Sequence, residues 1–229
     1  NFFYIPDGPS SMGRVISTFY SPYDPAAFTA RFVESRYRSN LAAAMRAAIA
    51  ADGDRLDRAQ VEMLYPNFRG RYWTGRDAQL NQRFGTMFFP YLEPQAISDT
   101  AYIPLRYKDL GRLQGRIIAA AHAALAAYPS DYGFPLDGPR PLRYRATTWL
   151  STQRPAMLRK MSFRLRHRQQ EPRTGALAPA LLGRVIDPEL PVMQTLFDVP
   201  RLYSRSQYGL AATLEYLAER FGISMPPIA

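Results

Sequence analysis

Prolines cut this chain into short pieces, and within those pieces apolar residues recur at steps of three and four. Pro66, Pro104 and Pro129 each close a run with helical spacing, because proline lacks the amide donor and its ring clashes with the preceding turn. The clearest run is the C-terminal one. After Ser206, residues Leu210, Leu214, Leu217 and Phe221 share one helix face, and Gly222 stands where a left-handed cap belongs. The nearest approach to a strand is "AYIPLRY" at residues 101–107, which carries a proline. No internal repeat is evident. The chain is therefore expected to be mainly α-helical.

Residues 1–24, rich in Pro, Gly, Ser and Tyr, read as an extended N-terminal arm. The remainder, 25–229, reads as a single mainly helical domain. Asp24 as N-cap and Pro25 at the first helical position predict one helix, or two joined helices, over 25–51, with Phe28, Phe32, Leu41, Met45 and Ile49 on its inner face. Asp57 predicts a cap for a helix through Val61 and Leu64 that Pro66 ends or kinks. Further helices are expected over 94–102, from Asp109 to Pro129 with Leu113, Ile117, Ile118, Ala121 and Leu125 inward, and around 154–168.

Cysteine is absent, which removes disulfides, thiolate zinc ligands and a thiol nucleophile. With only His122 and His167, a histidine metal cluster is excluded as well. No apolar run reaches the roughly 20 residues of a membrane span, and no signal peptide is recognisable. A cytoplasmic, bacterial protein is expected. Because the sequence does not begin with Met, it is expected to be processed or part of something longer.

The net charge of +10 is concentrated. Between Pro139 and Arg173 stand ten basic residues and one acid, Glu171, so that segment alone carries +9. Three roles fit it: a solvated or partner-docking face for an acidic protein, a nucleic-acid contact using Tyr144, Trp149 and Phe163 as stacking faces, or an anionic-lipid contact. His122, in an Ala-rich run, reads as structural.

From Asp77 to Phe134 the order of features resembles the C-terminal synthetase domain of asparagine synthetases, in the adenine-nucleotide α-hydrolase-like α/β fold group. In that family an Asp-bearing helix runs into E-x-R-x-P-F-L-D, followed by an Ile/Leu-Pro segment, K-x-x-x-R, and a turn ending in Gly-Phe. Here Pro90-Tyr91-Leu92-Glu93 stands for P-F-L-D. "IPLRYKDLGRLQGRII" places Arg112 and Arg116 at the K-x-x-x-R positions, and "YPSDYGF" keeps Gly133 and Phe134.

The resemblance implies the helical C-terminal portion of such a domain, and the family's ATP- and Mg-dependent amide formation through an acyl-adenylate. It assigns nucleotide contacts to Asp77, Arg112 and Arg116, and the altered catalytic positions to Thr86 and Arg112. Thr86 stands where the family has Glu, which removes a general base, and Phe88 where it has Arg. Arg112 in place of Lys keeps a cation that can clamp phosphate but cannot transfer a proton. The family's S-G-G-x-D-S phosphate loop and its glutaminase cysteine have no counterpart. A complete site would then need an N-terminal half or partner chain to supply the loop. On this reading the aromatic run "RFGTMFFPYLEP", residues 83–94, descends from the family motif and shapes the acyl side. Otherwise it packs a buried turn.

Overall fold

In the computed structural model the described residues are 5, 8–20, 24–75, 79, 81–82, 84–86, 94–167 and 172–223. They are mainly helical. Contacts divide the chain into two compact units, residues 1–20 with 40–154 and residues 21–39 with 155–229, where the sequence reading has one domain. Among the described residues, no helix is long and apolar enough to cross a membrane.

The first unit begins with a two-residue strand β1 (Ser10–Ser11) and helix α1 (Met12–Phe19). Ser11 caps α1 by accepting from the Arg14 amide at 3.1 Å. Met12, Val15 and Ile16 then fall on one face and are buried. The expected extended arm is thus a capped amphipathic helix over 12–19, because three apolar residues at helical spacing outweigh the surrounding Pro and Gly. Helix α2 (Glu34–Ile49) brings Met45 to the same core. Strand β2 (Arg55–Leu56) pairs antiparallel with β1, Ser10 opposite Leu56.

Helix α3 (Arg58–Leu64) carries the anticipated Asp57 cap, completed as a capping box by Gln60. Val61, Leu64 and Phe68 complete the core with Ile5, Met12, Val15, Ile16, Met45 and Leu56. The α-helix ends at Leu64, just before Pro66, in keeping with the expected end or kink. The chain continues from Tyr65 to Thr74 in a wider π-helical winding. Helix α4 (Pro94–Ala101) matches its expected span. The strand candidate 101–107 instead holds the end of α4 and a short helix α5 (Leu105–Lys108).

Helix α6 (Arg112–Ala121) breaks at His122, whose extended backbone and Nδ1, accepting from the Leu125 amide at 3.1 Å, start the short α7 (Ala123–Ala126). A polar cap therefore interrupts the single helix expected there, and Ile117 and Leu125 of the anticipated inner face are exposed. The 129–135 turn closes by an isolated bridge between Pro129 and Pro135, with Gly133 left-handed at φ 81°. Helix α8 (Leu142–Gln153) ends the unit.

The second unit contains helix α9 (Ala156–His167) from the Arg-rich segment, the short α10 (Pro179–Leu182) and α11 (Arg205–Arg220). Asp24 and Pro25 start only a 3₁₀ turn, Pro25–Ala27, rather than a long helix. Phe28 is extended and bridges Phe197, and the Phe28 ring lies 4.1 Å from Phe32 and 5.2 Å from Phe197. Pairing with a distant segment outcompetes local helix propensity here.

Helix α11 is capped two residues before Ser206, by Ser204 with Gln207 in a capping box. Gly222 takes the anticipated left-handed conformation at φ 61°. The buried face is a different one. Tyr208, Ala211, Ala212, Glu215 and Ala218 point into the core with Leu190, Met193 and Leu202, whereas Leu210 and Phe221 are 58% and 71% exposed. Small residues let α11 approach the 186–202 segment closely. Glu215, fully buried, accepts from the Val192 and Met193 amides at 3.0 and 2.7 Å.

Candidate functional site

The region that can act on a ligand in the first unit is built on the start of α6. Leu110 and Gly111 adopt left-handed conformations, at φ 53° and 69°, so the chain reverses direction just before Arg112. That reversal turns the carbonyls of Leu110 and Gly111 toward Arg140. Its guanidinium donates to Leu110 O at 2.8 Å and Gly111 O at 3.1 Å, and to Leu136 O and Gly138 O at 3.0 and 2.8 Å. An arginine has five donors, and four of these are engaged by backbone carbonyls. Arg140 is thereby a clasp between α6 and the 136–138 loop. The loop comes so close that a Cβ on Gly115 would sit 2.3 Å from Leu136 O.

Beside the clasp lies a groove of about 500 Å³ lined by Arg112, Arg116, Arg140, Arg145 and Asp137. Four cations against one carboxylate make it anion-selective in character. Arg112 and Arg116, four residues apart on α6, meet there as the sequence spacing requires. Arg112 donates to Arg106 O at 2.9 Å and pairs with Asp109 at 3.2 Å. That pair is held by charge without hydrogen-bond alignment, since the buried Asp109 Oδ1 accepts no hydrogen bond. The Arg116 guanidinium lies 5.9 Å from the Tyr107 ring and that of Arg106 4.8 Å from it. A hydrogen bond with Arg106 and the charge of Arg106 hold the Tyr107 phenol below its ordinary range, against a smaller desolvation effect. The Arg145 side chain has no hydrogen-bond or ion-pair partner among the described residues.

Leu110, Arg112 and Arg145 also line a larger cavity of about 1120 Å³ that runs along α8, with Leu105, Tyr132 and Tyr144 contributing apolar and aromatic surface. Lys108 lines this cavity but is structural: it donates to Thr100 O at 3.0 Å and pairs with Glu62 at 3.3 Å, while Arg58 also contacts Glu62. An arginine groove that shares Leu110, Arg112 and Arg145 with an aromatic-walled cavity suits an anionic head on a flat or apolar body. The arginines offer charge and hydrogen bonds but no proton transfer.

Of the other expected site residues, Thr86 is exposed and does not line the groove. Asp77 and the Pro90–Glu93 motif lie outside the described residues. Arg140 and Arg145 were visible in the sequence only as part of the +9 segment, and nothing in their spacing distinguishes clasp from groove wall. No group of three or more His, Asp or Glu able to hold a metal occurs among the described residues. No family model, curated protein or solved structure matches this chain.

Proposed function

We propose that this chain is the helical C-terminal portion of an asparagine synthetase-like domain, within the adenine-nucleotide α-hydrolase-like fold group. Its role is to hold the polyphosphate of Mg-ATP in the α6 groove. The observation that carries this reading is the meeting of Arg112 and Arg116 in one cation-rich groove, at the two positions the K-x-x-x-R motif designates. Fixed guanidinium charges suit a polyphosphate, because two planar forks can engage several oxygens at once. The adjoining cavity, walled by Tyr132 and Tyr144, has room for the nucleoside or acyl group.

The family reaction activates a carboxylate as the acyl-adenylate, releases pyrophosphate and transfers ammonia. Thr86 leaves this chain without the family's carboxylate, so it binds the nucleotide while amide formation requires groups from elsewhere. The S-G-G-x-D-S loop would come from residues outside 1–229 or from a partner chain. The test is isothermal titration of Mg-ATP into the complete native polypeptide. Arg112→Ala is expected to weaken binding by more than tenfold, and an unchanged affinity overturns the assignment.

A further inference from the structure

Helix α8 turns its polar and aromatic side inward and its apolar side outward. Tyr144 packs 4.9 Å from the Phe134 ring and 5.5 Å from Tyr132, anchoring the inner face together with half-buried Thr148 and Thr152. On the opposite side, Leu142, Trp149 and Leu150 are 77%, 62% and 56% exposed. At about 100° per residue, Trp149, Leu142, Ala146 and Leu150 share one arc, with the exposed Gln153 of the last turn among them. Arg145 bounds one edge of that arc and Arg143 the other. Both are exposed, and neither side chain has an ion-pair or hydrogen-bond partner among the described residues. No acidic residue occurs from Pro139 to Gln170.

We infer that α8 is a peripheral membrane-binding helix that docks on anionic lipid. Exposed Leu and Trp side chains flanked by arginines supply the contacts with which a protein surface meets anionic lipid. The aliphatic groups enter the acyl boundary, the indole sits at headgroup level, and the guanidinium groups engage lipid phosphates. The occupant is distinguished by chemistry. Single-stranded nucleic acid uses stacking faces, and this arc offers one indole beside two leucines that a base cannot stack on. Leu142, Trp149 and Leu150 also line the open cavity along α8. Helix α9, taken by itself in the second unit, repeats the outward apolar pattern, with Met157, Met161 and Leu165 exposed at four-residue steps.

Co-sedimentation of the complete protein with phosphatidylglycerol vesicles tests the inference. Binding is expected to these vesicles and not to phosphatidylcholine vesicles, with a blue shift of tryptophan emission that Trp149→Phe removes. The double variant Leu142→Ser/Leu150→Ser, both at exposed sites, is expected to retain the wild-type circular dichroism and reduce bound protein at least fivefold. Arg143→Glu is expected to reduce it and to lower the salt sensitivity of the binding that remains. Equal binding to both vesicle types, absence of a shift on the anionic ones, or an undiminished double variant overturns it. So does salt-sensitive binding to single-stranded DNA without any binding to vesicles.

Discussion

Replacing Gly115 with alanine should destabilise the first unit, although helix propensity alone favours the change. Gly115 lies inside α6, where alanine ordinarily gains about 0.5–1 kcal/mol over glycine. At this position the new Cβ would lie 2.3 Å from Leu136 O and 3.2 Å from Arg140 Nη2. The first contact is about 1 Å inside the roughly 3.3 Å of a favourable carbon–oxygen approach. The obstacle is backbone, so the 136–138 loop must withdraw. Overpacking of this kind costs about 1–3 kcal/mol. Withdrawal also loosens the Arg140 bonds to Leu136 O and Gly138 O, and a hydrogen bond from a charged donor contributes about 1.5–3 kcal/mol.

The net expectation is a loss of about 1–4 kcal/mol, which at roughly 2 kcal/mol/M lowers a urea midpoint by about 0.5 M or more. Gly13 in α1 is the control. Its added Cβ would meet nothing nearer than Ser11 Oγ at 3.9 Å, so Gly13→Ala should be stabilising by about 0.5 kcal/mol. The assay is urea unfolding followed by far-ultraviolet circular dichroism and tryptophan fluorescence. A Gly115→Ala midpoint at or above that of the wild type would refute the close loop contact and the clasp built on it.

Glu215→Gln places an amide donor against one of the two backbone amides that Glu215 now satisfies. The expected loss is about 1–3 kcal/mol, read as a lower melting temperature and faster hydrogen exchange at Met193. Tyr208 is fully buried and donates its hydroxyl to Pro188 O at 2.8 Å. Burial, opposed by Arg173 and reinforced by Glu189, raises its pKa from the ordinary 10.0. Because the folded state favours the neutral phenol, its contribution is intact below about pH 10 and is lost as pH rises through the raised value. The wild type should therefore lose stability at alkaline pH more steeply than Tyr208→Phe, and parallel pH profiles would contradict this.

Local signals in the sequence carried as far as individual helices. Asp57, Pro94 and Gly222 mark element ends that the structure keeps, since caps and prolines act through the residues beside them. The inward faces were less legible. In α11 the leucine stripe and the stripe through Tyr208, Ala211, Glu215 and Ala218 both have helical spacing. What decided between them was the distant 186–202 segment, whose Val192 and Met193 amides need the Glu215 carboxylate. Phe28, on which Phe32 packs, is similarly claimed by Phe197, far along the chain. The pairing of Arg112 with Arg116 in one groove followed from their four-residue spacing. The role of Arg140 could not be read, because its partners are carbonyls positioned by left-handed Leu110 and Gly111. Ser11 before Met12, Val15 and Ile16 is a readable helix signal that the Pro- and Gly-rich surroundings obscured.

The groove as a phosphate site is the central claim, and a crystal structure of the complete native protein grown with Mg-ATP tests it most directly. Phosphate oxygens are expected within hydrogen-bond reach of Arg112 and Arg116, with the nucleoside extending toward Tyr132 and Tyr144. A nucleotide bound elsewhere, or a groove left without phosphate density at saturating Mg-ATP, would contradict it.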